Sequence, residues 1–595
     1  MVDVARSVDR RLGPAGRMPT VRTSTGDRIM TQRMRWTSAP AVVTAALAAL
    51  ALSAAAGAQP ADLVVTNARI WTGDPAAPAA TALAVRDGRF VYVGNDQGLS
   101  GLIGPGTARF DAGGRRILPG LTDTHVHIEG AAMSLGRLDL RGAKSREDLL
   151  RRVREYAMAL PEGEWVLGRG WSAESWPDPT PPTPAEIDHA TGGRPAILTR
   201  MDGHSLIASA SAIALAGVTA QGPPDPPGGK IGRDATGAPT GAFYEQAMGI
   251  VTRHAPSPSL DRVRELTRRA VRALHEVGVT QVGAIDSREF VTTHLMALDR
   301  RGELPLRVGV SLAGGGDTVP GWRPILAWAA ANPNPTPNVR ILGFKGYMDG
   351  SLGSRTAWML EPFSDDPGNS GFPLAMAGSG DLAELISLAA KMGLQPAVHA
   401  IGDRANRVVL DWFEAIPDAD RRAVRPRVEH AQHVDPSDLP RFAELGVVPS
   451  MQPYHKADDG RYAEERIGPV RARSSYAFRA LYDSGAELAF GSDWPVVSCD
   501  PFLGVAAAVT ARTIAGETFV PEQSLSVEEA LACYTTHAAF ALHHEGDTGV
   551  VRPGALADFI VLDRDVLRID PSQIERVRVD RTYVGGRLVF AREGE

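Results

Sequence analysis

The stretch Ile117-Leu118-Pro119-Gly120-Leu121-Thr122-Asp123-Thr124-His125-Val126-His127-Ile128-Glu129-Gly130 decides how the rest of the chain is read. It has the form of an apolar strand ending in two imidazoles, His125 and His127, one residue apart. Alternate side chains of a strand point to the same face, so both rings can converge on one point at the strand's end. That is metal-ligand geometry, although an ordinary strand with two partly buried histidines has the same two-residue signature. The choice turns on whether further ligands arrive at strand ends later in the chain.

The 595 residues, 44% apolar and 22% charged, are enough for more than one core, and the composition is that of a large globular protein. The formal net charge of -6, without any block of Lys and Arg, excludes a nucleic-acid binder of the phosphate-tracking kind. Two cysteines, Cys499 and Cys533, cannot make a disulfide framework or a four-thiolate zinc site. Residues 1–27 carry no apolar period and read as a leader. After Met30, Arg33 and Arg35 precede an apolar run from Ala39 to Leu52 that ends in Ala56-Gly57-Ala58. Basic n-region, short h-region and A-x-A site spell a secretory signal peptide cleaved before Gln59, so the mature protein is expected in the periplasm or outside the cell. The run is shorter than the span of about 20 residues a membrane helix needs, and no stable membrane span is expected after cleavage.

Between Ala61 and Ile117, short β-rich runs (Leu63–Val65, Leu83–Val85, Phe90–Val93) alternate with turn residues, and the C-terminus repeats the style at Phe559–Leu562, Val577–Val579, Thr582–Val584 and Leu588–Phe590. Each piece is too small for a core, so the two chain ends are expected to close one β-sandwich. The segment from Ala131 to about Leu260, Pro-rich and without a repeat, reads as an insertion covering one end of the central domain, and its Trp165, Trp171 and Trp176 hint at an apolar substrate group. Seven further strand-like runs follow the His125 strand: Val279–Ile285, Leu304–Leu312, Val339–Met348, Leu394–His399, Arg427–Gln432, Gly446–Met451 and Glu487–Gly491. Helix-like segments separate several of them, and eight such runs are the count of a parallel (β/α)8 TIM barrel. The expected order is leader and signal peptide 1–58, sandwich 59–117, first barrel strand 118–130, insertion 131–260, remaining barrel 261–544 and sandwich 545–595.

In a TIM barrel the chemistry sits at the C-terminal ends of the strands. There the runs end in F-K-G-Y-M-D-G, V-H-A-I-G-D, V-E-H-A-Q and A-F-G-S-D-W-P, which adds Lys345, His399, His430 and Asp493 to His125 and His127. One such residue is usually a solvated charge or a helix cap, but six ionisable groups on one rim demand mutual compensation and mark a site.

These motifs, with P-G-L-T-D-T-H-V-H, M-D-G-H-S, S-M-Q-P-Y-H and H-A-I-G-D-R-A-N, run in order from Leu63 to Val589. As a set the chain resembles the metal-dependent hydrolases of the amidohydrolase superfamily, in the YtcJ-like or amidohydrolase 3 branch that includes N-substituted formamide deformylase. The resemblance implies a centre of two divalent ions, zinc by preference, with His125, His127, Lys345, His399, His430 and Asp493 as metal ligands. It also implies that Lys345 carries a carbamate bridging the ions, since a protonated lysine is a poor ligand; the alternative is a free ammonium beside a single ion. The activity implied is hydrolysis of an amide or related C–N bond other than a peptide bond, with Asp493 moving the proton. An ester, lactone or cyclic amide on the same site is the alternative, and a non-catalytic binding protein the least favoured. His204, Gln452 and His455 lie where substrate or oxyanion could be held. Asp349, Ser351 and Arg355 read equally as a loop-ordering network, His433 as a support residue, and His543-His544 as surface. The partner expected is a small-molecule substrate, with a homodimer left open and no nucleic acid.

Overall fold

Eight short apolar segments pair side by side, all in parallel and in chain order: β1 (Leu121–Val126), β2 (Val279–Ser287), β3 (Arg307–Ala313), β4 (Val339–Tyr347), β5 (Gln395–Ala400), β6 (Arg427–His430), β7 (Val448–Met451) and β8 (Ala489–Phe490). The computed structural model describes residues 59–173, 176–200, 205–226 and 229–593, so the leader and signal peptide, and also His204, lie outside the described residues. Parallel strands covered on both faces need apolar residues throughout, and β1 is buried at every position while β2 is buried at all but its last. The sheet is nearly closed: past β8, Asp493 N donates to His125 O at 2.7 Å and His127 N to Trp494 O at 2.8 Å. Each of the eight expected runs supplies one strand of this barrel.

Helices on the outside complete the layers. The helix Leu260–Glu276 starts where the Ser259 side chain accepts the N–H of Arg262, and it presents Val263, Leu266, Ala270, Val271 and Leu274 to the barrel on one face. Truncating one such buried leucine to alanine costs about 2–5 kcal/mol.

One boundary differs from expectation. The run quoted at the outset is split by Gly120: Arg116–Pro119 leaves the barrel and pairs with the C-terminal strand Phe559–Leu562, Ile117 facing Val561. That strand belongs to a six-stranded sheet in which both chain ends take part, and a four-stranded sheet holds Leu63–Thr66, Ala82–Arg86, Arg89–Gly94 and Ala108–Asp111. Val65, Leu83 and Phe90 of the second sheet and Phe559, Val561 and Tyr583 of the first share one apolar cluster, with the Phe559 and Tyr583 rings stacked at 4.3 Å. Between β1 and the Leu260 helix the chain builds a separate six-stranded mixed sheet with its own apolar clusters, including Trp171 and Trp176, whose indole N–H groups donate to Leu198 O and Ala143 O. Among the described residues no helix is long and apolar enough to cross a membrane.

Candidate metal centre

His125 and His127, at i and i+2 of β1 and its exit, face one point with their Nε2 atoms 3.4 and 3.1 Å from Asp493 Oδ1. β4 brings Lys345, β5 His399, β6 His430 and the turn after β8 Asp493, and all six line one cavity of about 340 Å3 together with Tyr347, His455 and Tyr462. The Nε2 or Nδ1 atoms of His125 and His430 and a carboxylate oxygen of Asp493 lie within 4.8 Å of one another, close enough to hold one ion.

The surroundings settle which nitrogen of each ring is free. His125 Nδ1 is bonded to Glu429 Oε2 at 2.7 Å, His127 Nδ1 to Ile285 O at 3.0 Å, His430 Nδ1 to Gln452 Oε1 at 2.7 Å and His399 Nε2 to Gly350 O at 3.0 Å. Each of these partners is an acceptor, so in a neutral ring it takes the N–H and leaves the other nitrogen a lone pair. Burial, reinforced by the Lys345 charge, pushes His125 down to about 4 and His399 to about 3, and burial likewise holds His430 well below its ordinary value. All three are therefore neutral at pH 7, the form of imidazole that can bind a metal. Burial works against ionising Asp493, yet the facing imidazoles, His125 foremost, hold its carboxyl well below the usual range. Its buried Oδ1 meets His127 Nε2 at 3.1 Å, and against the effect of burial that contact raises His127 above its ordinary value. A buried carboxylate facing converging imidazoles is a donor set that zinc accepts.

Lys345 is 1% exposed, with no ion pair or hydrogen bond among the described residues, and burial lowers it to about 8. His430 and Asp493 are held at φ +76° and +62°, in the left-handed region that costs a residue of this type on the order of 1–3 kcal/mol. At His430 this breaks the strand alternation and lets Glu429 and His430, though consecutive, both serve the interior. The turn at Asp493 follows Gly491, where a Cβ would stand 2.7 Å from His125 N.

Glu429 and Arg427 were not among the residues singled out from sequence. Arg427 is fully buried, donates through Nε to Glu429 Oε1 at 2.8 Å and, with His125, holds the Glu429 carboxyl well below its range against the effect of burial. The i, i+2 spacing of two oppositely charged residues in β6, beside the expected ligand His430, was the available signal. Asp123, which accepts the N–H of His125 and of Ser492, ties β1 to the turn carrying Asp493. Gln452 is a correction: its oxygen is taken by His430 and its amide donates to Ser450 O, so it orients the His430 ring and is not free for substrate. Asp349 accepts the N–H groups of Trp358, Ile401 and Gly402, and Arg355 pairs with Asp365, which favours the loop-ordering reading for both. Ser351 does line the cavity. His433 is bonded to Ser475 and to Gln432, which lines the cavity, so it stands behind the lining as a support, and His543, expected on the surface, is half-buried against Val424 O. His455 lines the cavity with its Nε2 buried and without a partner.

Residues 109–590 match the sequence profile of the Amidohydrolase family. The chain is 30% identical to the putative amidohydrolase YtcJ of Bacillus subtilis, over 86% of this chain and 96% of that protein, and 27% identical to the N-substituted formamide deformylase of Arthrobacter pascens, over 90% and 99%. A crystal structure of an uncharacterized metal-dependent hydrolase from Pyrococcus furiosus superposes with a TM-score of 0.70 at 29% identity, covering 85% of this chain and all of that one. On the match across the barrel and both flanking segments, the chain belongs to the amidohydrolase family of metal-dependent hydrolases.

Proposed function

We propose that the protein hydrolyses an amide or related C–N bond other than a peptide bond, using two divalent ions, zinc by preference, held by His125, His127, Lys345, His399, His430 and Asp493. The observation that carries this reading is the set of four imidazoles, each bonded through one nitrogen to an acceptor, that line one cavity with the Asp493 carboxylate. Bound there, the ions would supply Lewis acidity toward the scissile carbonyl and an activated water. The chain's own residues do the rest. Asp493 takes the proton of the attacking water and hands it to the leaving nitrogen, because an amine anion is a very poor leaving group. His455, whose ring stacks on that of His430, holds the carbonyl oxygen, with His204 a second candidate for that role. Lys345 carries a carbamate: its burial raises the share of free amine, the form that adds carbon dioxide. Similarity to a formamide deformylase supports the amide reading over the ester reading.

Elemental analysis is expected to find about two ions per chain, and the loaded protein to hydrolyse members of a panel of N-acyl and N-formyl amines. Lys345→Ala should lose the paired ions and recover part of its activity with added short-chain carboxylates. Full activity in metal-stripped protein would overturn the reading, and turnover of esters alone across the panel would move it to the ester alternative. The same proposal places the mature protein in the periplasm or outside the cell, beginning at Gln59. N-terminal sequencing that found an intact leader on cytoplasmic protein would reject that part.

A further inference from the structure

A second cavity adjoins the metal cleft, and Lys345 and Tyr347 stand between the two. Pairing of β3 with β4 ends at Leu312 and Phe344, while β4 runs on to Tyr347 paired only with β5, Lys345 opposite Ala397 and Tyr347 opposite His399. Beside Lys345 and Tyr347 the wall therefore lacks its β3 neighbour, because the chain after Ala313 passes into Gly314-Gly315-Gly316. A cavity of about 270 Å3 occupies this place, and Lys345 and Tyr347 line both it and the metal cleft. Its other walls are apolar, with Trp322, Leu374, Met376, Leu382 and Leu385, while the exposed carboxylate of Asp317 also borders it.

The chamber has a defined wall. Gly314 and Gly316 sit at φ +84° and +78°, and a Cβ on Gly315 would lie 2.2 Å from the Trp322 ring. Trp322 is fixed in turn by its indole N–H, which donates to Gly316 O at 2.9 Å, and by edge contact with Phe344. Whole small-molecule sites run to about 300–1,000 Å3, so a space of this size suits one arm of a ligand whose reacting part lies elsewhere.

We propose that this chamber is the subsite for a hydrocarbon arm of the substrate, so that the preferred amides carry a neutral branched or monocyclic aliphatic substituent. The inference rests on the hydrolase reading above for what reacts, and on the chamber alone for what is selected. An anionic arm would meet apolar walls and the Asp317 carboxylate, beside a Lys345 that the hydrolase reading holds as a carbamate, and is rejected.

The test compares kcat/KM for cyclohexylmethyl-substituted and methyl-substituted amides, with the arm placed on the acyl side in one series and on nitrogen in the other. In one series the ratio should favour the large arm by about tenfold or more in the parent, and Met376→Trp, which fills the chamber, should cut that ratio by about tenfold. Met376→Ala should shift preference toward bulkier arms, which keeps the test open if the tryptophan variant does not fold. Binding of cyclohexanecarboxamide, read by saturation-transfer NMR without turnover, should be seen with the parent and lost in Met376→Trp. Binding that depends on Met376 in a parent that hydrolyses no amide would sustain the chamber and remove the hydrolase reading. Equal ratios and equal binding in parent and variants would overturn the chamber whatever the reaction is.

Discussion

Buried histidines occupy both ends of this barrel, and only one group is a site. At the C-terminal ends of the strands, burial takes His125 to about 4 and His399 to about 3. At the opposite end, burial takes His275, in the last turn of the Leu260 helix, and His543 to about 4 as well. A depressed pKa therefore does not separate them. What differs is company: His275 bonds Pro305 O at 2.8 Å and among the described residues no second imidazole stacks or bonds with it, whereas His125 and His127 both reach one Asp493 oxygen and His430 lies within the same cluster. Burial makes a histidine neutral, and convergence makes neutral histidines a metal centre.

The largest effect that would sharpen this contrast is expected at Asp493. An asparagine there keeps a carbonyl oxygen for the ion but cannot carry a proton. Asp493→Asn should retain most of its metal while turnover of an unactivated amide falls by about 10²–10⁴. Activated esters, whose leaving groups depart unprotonated, should lose less. Hydrolysis of the amide within a few-fold of the parent would reduce Asp493 to a ligand and move the proton to His455 or His204.

A smaller effect is expected one layer out. Glu429→Gln leaves a shape that still reaches His125 Nδ1 but removes the charge that Arg427 steadies. Metal affinity, measured by competition with a chromophoric chelator, should weaken about 10–100-fold, the usual cost of losing a carboxylate behind a ligating histidine. The rim is only as good as its second layer if this holds; unchanged affinity would mean that the first layer alone sets the site.

How far the site was legible follows from the same distinction. The barrel and its six rim residues could be read because strand alternation and strand ends are local features: His125 with His127, and the Lys345 strand end, need no tertiary knowledge. Which residues support them was not legible, because it depends on who faces whom across the barrel. Gln452 looked like a substrate contact and proves to be spent on His430, 22 residues away in sequence. Glu429 was hidden by alternation itself, since a strand that points His430 inward should point its neighbour out, and only the φ of +76° at His430 lets both serve the interior. His543 failed for the opposite reason: an exposed-looking His-His pair before the C-terminal segment is covered by Gln395 at the start of β5 and by Val424 at the end of the helix before β6, a contact no local pattern announces.

The smallest effect tests the other half of the comparison, that His275 is a structural histidine. Its folded-state pKa, near 4 because burial opposes the charge, lies below the ordinary 6.5 of an unfolded chain. The unfolded state thus binds the proton first as pH falls. Stability from keeping His275 neutral is fully present above about 6.5 and is lost progressively between about 6.5 and 4. One pKa unit is worth about 1.4 kcal/mol, so the loss at pH 4.5 is about 2.5 kcal/mol. His275→Gln places an uncharged N–H where Nε2 meets Pro305 O and cannot titrate. Urea unfolding of parent and variant should agree within about 1 kcal/mol at pH 7.5, and at pH 4.5 the variant should gain on the parent by roughly the full difference. Loss of metal from the rim in acid is common to both proteins and cancels in the comparison. Metal content at pH 7.5 should not change, in contrast to any rim histidine. Parallel stability curves would show that His275 does not hold its proton balance by burial, and a fall in metal content would join the two ends of the barrel that the geometry keeps apart.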